Sequence, residues 1–240
     1  MKRKQVVTFI ITILSFLAFF LIIYIYKDNI RSYITNLFPP SYNSKEVPEV
    51  DVNIYKIIDD NNPTFDLKNI PTETYEKYSE LDYLNRAGTA EANIGIDLMP
   101  TEKRGSIGTI KPTGWHTIKY DIINGKYLYN RCHLIGYQLT GETTNKKNLI
   151  TCTRQMNVEG MLPFENKVAD YIKETNNHVL YKVTPVYKDD NLLASGVYLE
   201  AYSIEDSGEG IKMHVYIYNT QDGIKIDYKT GESWLEDDNE

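Results

Sequence analysis

Residues 6–26 (VVTFIITILSFLAFFLIIYIY) run twenty-one positions without a charged side chain. At 1.5 Å per residue such a run makes about 30 Å of helix, the thickness of a bilayer's hydrocarbon core. Lys2, Arg3 and Lys4 precede it. The positive-inside rule then predicts a cytoplasmic segment over 1–5, a transmembrane helix over 6–26 and the rest of the chain outside. Tyr24 and Tyr26 fall where an interfacial aromatic belt would lie. A cleaved signal peptide is the competing reading. The apolar run is longer than an ordinary signal core and no small-x-small site follows it. The expected location is a cell membrane, single-pass, with the main domain extracytoplasmic.

The remainder has a globular composition. Over the full 240 residues, 42% are hydrophobic and 25% charged, so a packed core is expected. Residues 27–69 contain Pro39, Pro40, Pro48 and Pro63 beside the polar run Asp59-Asp60-Asn61-Asn62. They show no sustained period and are read as an extended linker. The folded domain is expected over 70–240. Pro71 to Thr74 is a helix start, predicting a short helix to Glu80. Gly88 to Gly114 is rich in glycine and is read as irregular.

Strand signals follow. His116 to Ile122 alternates, and Asn124-Gly125 is a hairpin turn signal. Tyr127 to Leu139 reads as extended, and Leu149 to Thr153 as a short strand. Pro163 suits the first position of a helix. Phe164, Val168, Tyr171 and Ile172 then make an apolar stripe at helical spacing. His178–Tyr187 and Leu192–Ser203 flank a turn at Lys188 to Asn191, and Lys212–Asn219 alternates again. The expected class is α+β with a largely antiparallel sheet.

The net charge of −7 disfavours broad electrostatic binding to nucleic acid. The charge is unevenly spread, however. From Lys126 to Lys173 seven basic residues stand against four acidic ones. A phosphate site needs local positive charge, not a basic whole. Cys132 and Cys152 show no zinc-ligand spacing, and one bridge between them is open outside the cytoplasm.

Within that basic segment lies Asn130-Arg131-Cys132-His133. In a strand, residues two apart share a face, so Arg131 and His133 are expected to point together at one phosphate. Neutral histidine suits a general base, its unperturbed pKa lying near 6.5. Asn148, Asn157 and Glu165 lie downstream, and a helix starting near Pro163 would bring them against His133. A lone histidine in an apolar strand is ordinarily structural, Asn157 alone would be a cap, and Glu165 alone a first-turn glutamate. The agreement in spacing is what favours function. His116, His178 and His214 lack such partners and are read as structural.

This constellation resembles the DNA/RNA non-specific endonucleases, the ββα-metal or His-Me finger nucleases. Their signature is Asp-Arg-Gly-His on a strand, followed by an asparagine that holds a single magnesium. Asn148 stands nine residues before Asn157, and Glu165 eight after it, as in that family. Gly114-Trp115-His116 resembles the Gram-positive DNA-entry branch. The resemblance implies a ββα-metal core within a bacterial, Gram-positive protein. His133 would activate water, and Asn157 would bind Mg²⁺, with Mn²⁺ as a substitute. Arg131 and Glu165 would hold the phosphate and the metal's waters, and Asn148 would support the site. The substrate would be DNA, with RNA as a second candidate, and the products would carry 5′ phosphates. No small-molecule cofactor is implied. Asn130 replaces the family's aspartate and Cys132 its glycine. A second basic position is Ala169 here, leaving Arg154 and Lys167 as candidate cations. A catalytically impaired domain that only captures nucleic acid is the alternative reading.

Overall fold

The computed structural model describes residues 53–71 and 73–236, with Thr12, Ile13, 15–17, Tyr24, Tyr26, Val47 and Pro48. The chain divides into two compact units, 1–40 and 41–240. The expected membrane span over 6–26 lies largely outside the described residues. Those of the first unit that are described are helical and exposed. Among the described residues, no helix is long and apolar enough to cross a membrane.

The second unit is α+β. Its strands are β1 (Tyr55–Ile57), β2 (Tyr75–Tyr78), β3 (Ala90–Ile94), β4 (Tyr129–His133), β5 (Leu149–Thr153), β6 (Val179–Val186), β7 (Gly196–Ser203), β8 (Lys212–Tyr218), β9 (Ile224–Ile226) and β10 (Ser233–Leu235). Its helices are α1 (Tyr137–Thr140) and α2 (Leu162–Thr175). Six strands form an antiparallel sheet in the order β1-β8-β7-β6-β3-β2. The hairpin β4–β5 is a separate two-stranded sheet, and so is β9–β10.

Period-two alternation sorts the large sheet into faces. Val179, Tyr181 and Val183 of β6, Val197, Leu199 and Ala201 of β7, and Met213, Val215 and Ile217 of β8 point into one core. Cys132, Ile150 and Cys152 of β4–β5 and Val168, Ala169 and Ile172 of α2 pack against them. Full burial of a side chain such as Val168 or Ile172 contributes roughly 1.5–3 kcal/mol. The ββα layer is thus pinned to a broad, stiff support. Cys132 and Cys152 form a disulfide with their Cα atoms 5.9 Å apart, within the range for such bridges.

Three sequence expectations change. First, the stretch assigned to a linker over 27–69 is partly folded. Tyr55, Lys56 and Ile57 pair with Ile217, Tyr216 and Val215 of β8. Thr64 donates to the buried carboxylate of Glu200 through its amide (2.5 Å) and its hydroxyl (2.7 Å). The segment lies on the outer sheet face, where Ile58 packs near Tyr198, Tyr216 and Tyr218. The polar Asp-Asn run hid this, because its partners lie about 140 residues away in sequence. Second, the helix expected to reach Glu80 is instead strand β2, drawn into the sheet by pairing with β3. Strand β3 itself (AEANI) falls in the region read as irregular; its poor β propensity is overridden by pairing on both sides. Third, 116–122 is not a regular strand. The hairpin signal survives as one antiparallel bridge, Lys119 to Tyr127, around a turn with Gly125 at φ 81°.

Helix α2 begins where Pro163 suggested, but it is not a fresh start. A π-helical turn, Met156–Met161, runs straight into it. Such wide turns recur at functional sites. Here the turn carries Asn157 onto the same helical rod as Glu165.

Candidate active site

A cleft of about 610 Å³ opens over the β4–β5 hairpin. Arg131 and His133 of β4 line it, as period two requires, and so do Asn157 and Glu165 from the π turn and α2. Arg104, Trp115, Tyr127, Asn130 and Arg154 complete the parts used below. Cys132 points the other way, into the core.

His133 is buried, with 6% of its surface exposed. Its Nε2 lies 3.0 Å from the main-chain carbonyl of Thr143. A carbonyl only accepts, so Nε2 carries the hydrogen. Its Nδ1 lies 3.2 Å from Nη2 of Arg104. A guanidinium only donates, so Nδ1 carries the lone pair. The two neighbours together select the neutral Nε2–H tautomer with a basic nitrogen facing the cleft. Burial holds the imidazole below its ordinary pKa; the Thr143 carbonyl opposes this and the Arg104 charge adds to it. The ring is therefore neutral at pH 7.

Glu165 is 9% exposed. Burial pushes its carboxyl up to about 7, while the Arg104 charge and the nearby Gln138 amide pull it down. Gly136 makes room for it. A Cβ on that glycine would meet Oε2 of Glu165 at 2.5 Å.

Asn148 does not line the cleft. It is fully buried, its Oδ1 accepting from the amide of Ile135 at 2.8 Å and its Nδ2 donating to the carbonyl of Ile135 at 3.0 Å. It locks the backbone two residues beyond His133, which makes it a positioning residue. Arg131 is only partly available. It donates through Nε to the carbonyl of Ile110 and through Nη2 to that of Gly108, and its guanidinium stacks on Trp115 at 3.9 Å. Its first task is to tie the 108–110 loop to β4. A phosphate would meet its remaining N–H groups.

Arg104 is the residue that sequence reading missed. It sits in the glycine-rich stretch read as irregular, and nothing local marks it out. Only the fold carries it to His133 and Glu165 together. Of the two candidate cations, Arg154 lies in the cleft and Lys167 in a separate surface groove. The other three histidines have structural partners: His116 the carbonyl of Thr230, His178 the carboxylate of Glu205, and His214 the carbonyl of Asn62.

The donor set suits a hard cation. Asn157 lines the cleft and its amide has no protein hydrogen bond among the described residues. Asn130 Nδ2 is buried there without a partner, a donor that a water or a phosphate oxygen would satisfy. Among the described residues, no three His, Cys, Asp or Glu side chains gather into a metal cage. A cation on Asn157 would keep most of its own water, as magnesium does.

Residues 68–204 match the model of the DNA/RNA non-specific endonuclease family. The fold is similar to that of NucA from Streptococcus agalactiae with no metal bound (TM-score 0.70, 25% identity, 86% of this chain and 96% of that one). The same protein with a magnesium ion bound gives 0.69 and 26%, over 80% and 91% of the two chains. Sda1 nuclease with a bound zinc ion gives 0.64 and 30%, over 77% and 97%. The matched family model spans more than half of the chain and covers every cleft residue discussed above, so this protein belongs to the DNA/RNA non-specific endonucleases and is a hydrolytic endonuclease.

Proposed function

We propose that this chain hydrolyses phosphodiester bonds in DNA, and in RNA, with His133 as general base and a divalent cation, Mg²⁺ or Mn²⁺, on Asn157. The observation that carries this reading is the pair of neighbours on the His133 ring, the Thr143 carbonyl at Nε2 and the Arg104 guanidinium at Nδ1. With Nε2–H committed to the Thr143 carbonyl, the Nδ1 lone pair is the one free to take a proton from water. General-base help of this kind contributes about 10²–10⁴-fold. In the substrate complex the Arg104 guanidinium turns from Nδ1 to the phosphate, a stronger acceptor, and so frees the base at the moment it is needed. Arg104 then faces the charge that builds on the phosphate oxygens. A cation held by Asn157 would neutralise further charge there and acidify a bound water beside the leaving 3′ oxygen. Loss of the 3′ oxygen leaves 5′-phosphate products. Glu165 would orient water around that cation. NucA with magnesium and Sda1 with zinc support a divalent ion.

An extracytoplasmic location agrees with the disulfide between Cys132 and Cys152, which persists in oxidising surroundings. The uncharged run 6–26 would tether the enzyme to the membrane. Similar folds include an extracellular endonuclease and an extracellular nuclease.

The test is incubation of the full chain with supercoiled plasmid and Mg²⁺. Degradation that stops on adding a chelator is expected. A shifted but uncut band at every metal concentration would replace this reading with a binding-only domain.

A further inference from the structure

We propose that Arg154 forms a second phosphate subsite, which grips the substrate backbone at a phosphate other than the one being cut. This rests on the nuclease reading above and deepens it.

Arg154 follows β5 directly, and its amide donates to the carbonyl of Leu128 at 2.7 Å. That bond holds its backbone in place. Thr153 pairs with Tyr129, whereas His133 pairs with Leu149 at the other end of the hairpin. Four residues of strand separate the two ends, about 14 Å at the usual rise. That is the separation of the two backbones; a polynucleotide lying along the cleft would meet the two ends with different phosphates.

The state of the guanidinium supports a ligand role. Arg154 is half-buried and lines the cleft. Its guanidinium makes no hydrogen bond or ion pair to protein among the described residues. The other two cleft arginines are engaged, Arg104 at His133 and Arg131 at two carbonyls and Trp115. Two carboxylates on neighbouring segments have other partners. Asp222 accepts from Gln155 at 2.9 Å, and Asp121 from Lys126 at 2.8 Å. Gly125 lies against the guanidinium: a Cβ there would be 3.5 Å from Nε and Cζ. With no side chain at that position, the cation stays open to the cleft. Tyr127, 48% exposed, lines the same end; Lys119 Nζ sits 4.6 Å over one face of its ring, and a neighbouring base would stack on the other. A backbone-anchored arginine with no partner among the described residues, beside an exposed aromatic ring, is the chemistry of single-strand backbone capture. Bidentate N–H donation to a phosphate is what the fork is built for.

The test measures DNA affinity against salt in the full chain carrying His133→Ala, with a chelator present so that no cutting occurs during the measurement. The probe is a single-stranded oligonucleotide of mixed sequence. Adding Arg154→Gln should weaken binding alike for different sequences and make the log Kd–log salt slope shallower by about 0.7. Adding Arg154→Lys instead should restore most of the slope, because the charge returns. In the cutting enzyme, the loss in Arg154→Gln should fall on KM rather than kcat. An unchanged slope and Kd would overturn the subsite. So would a fall in kcat at saturating DNA with the slope intact, since that would put Arg154 on the scissile phosphate. Failure of the nuclease reading shows separately, as absence of plasmid cutting by the chain with His133 and Arg154 both intact.

Discussion

Nη2 of Arg104 lies 3.2 Å from Nδ1 of His133, although 29 residues separate them in sequence. One nitrogen of the imidazole is thus committed to a carbonyl and the other is guarded by a cation. Burial keeps the ring neutral and the Arg104 charge adds to it; in the proposed mechanism the guanidinium would turn to an arriving phosphate. Several consequences of this arrangement can be measured.

His133→Ala should lower plasmid cleavage by about 10²–10⁴-fold, the usual worth of a positioned base. DNA binding at low salt should survive, because the cleft cations remain. Full cleavage by this variant would remove His133 from the base role.

Arg104→Gln should lower kcat by about 10²–10³-fold, as loss of one preorganised donor typically does. It should also move the pH profile. The Arg104 charge helps hold the His133 pKa down, so removing it raises that pKa. The acid limb of the rate profile then shifts to higher pH. A fall in rate with the limb unmoved would show that Arg104 does not act on the imidazole.

Asn157→Ala should raise the Mg²⁺ concentration needed for half-maximal cleavage by at least about tenfold. Asn157→Asp should lower it, since a carboxylate attracts a divalent cation more strongly than an amide. Calorimetric titration of Mg²⁺ gives the same ranking without relying on cleavage. Equal metal requirements in all three proteins would place the cation elsewhere.

Glu165 has a folded-state pKa of about 7 against an ordinary value of 4.5, chiefly through burial. The protonated form is the one the folded protein favours. Its contribution is fully present below pH 4.5 and is lost as pH rises through 7. The difference is about 3 kcal/mol. Urea unfolding of the metal-free chain can be followed by the fluorescence of Trp115 and Trp234. Between pH 5 and pH 8 the native protein should lose more stability than Glu165→Gln, by about that amount. Identical pH dependence would contradict the buried, neutral carboxyl.

The disulfide joins cysteines 20 residues apart. Closing a loop of that length stabilises a fold by about 3 kcal/mol in the chain-entropy account. Native protein should show no free thiols, and a reductant should lower the melting temperature. Two titratable thiols in freshly purified native protein would show that the bridge is not formed.

Local pattern alone determined the α+β class, β5, the long β6–β7 pair and the apolar face of α2, because each follows from residues a few positions apart. The same holds for Arg131 and His133 sharing a face, since alternation is intrinsic to a strand; of the stretch read as extended over 127–139 only Tyr129–His133 is strand, and its end is helix α1. Tertiary structure decided the rest. Tyr55 to Ile57 became a strand only by meeting β8, and the AEANI strand formed only between two partners. Asn148 carries the expected spacing but turns inward, because the backbone polar groups of Ile135 needed satisfying. Arg131 is largely spent on loop carbonyls. Glu165 becomes a near-neutral acid because of what buries it, and Arg104 joins the site because a long loop folds across the cleft. Sequence spacing reports which residues can share a face. Which of their hydrogen-bonding groups remain free is settled by neighbours that are distant in the chain, and that depends on the packed structure.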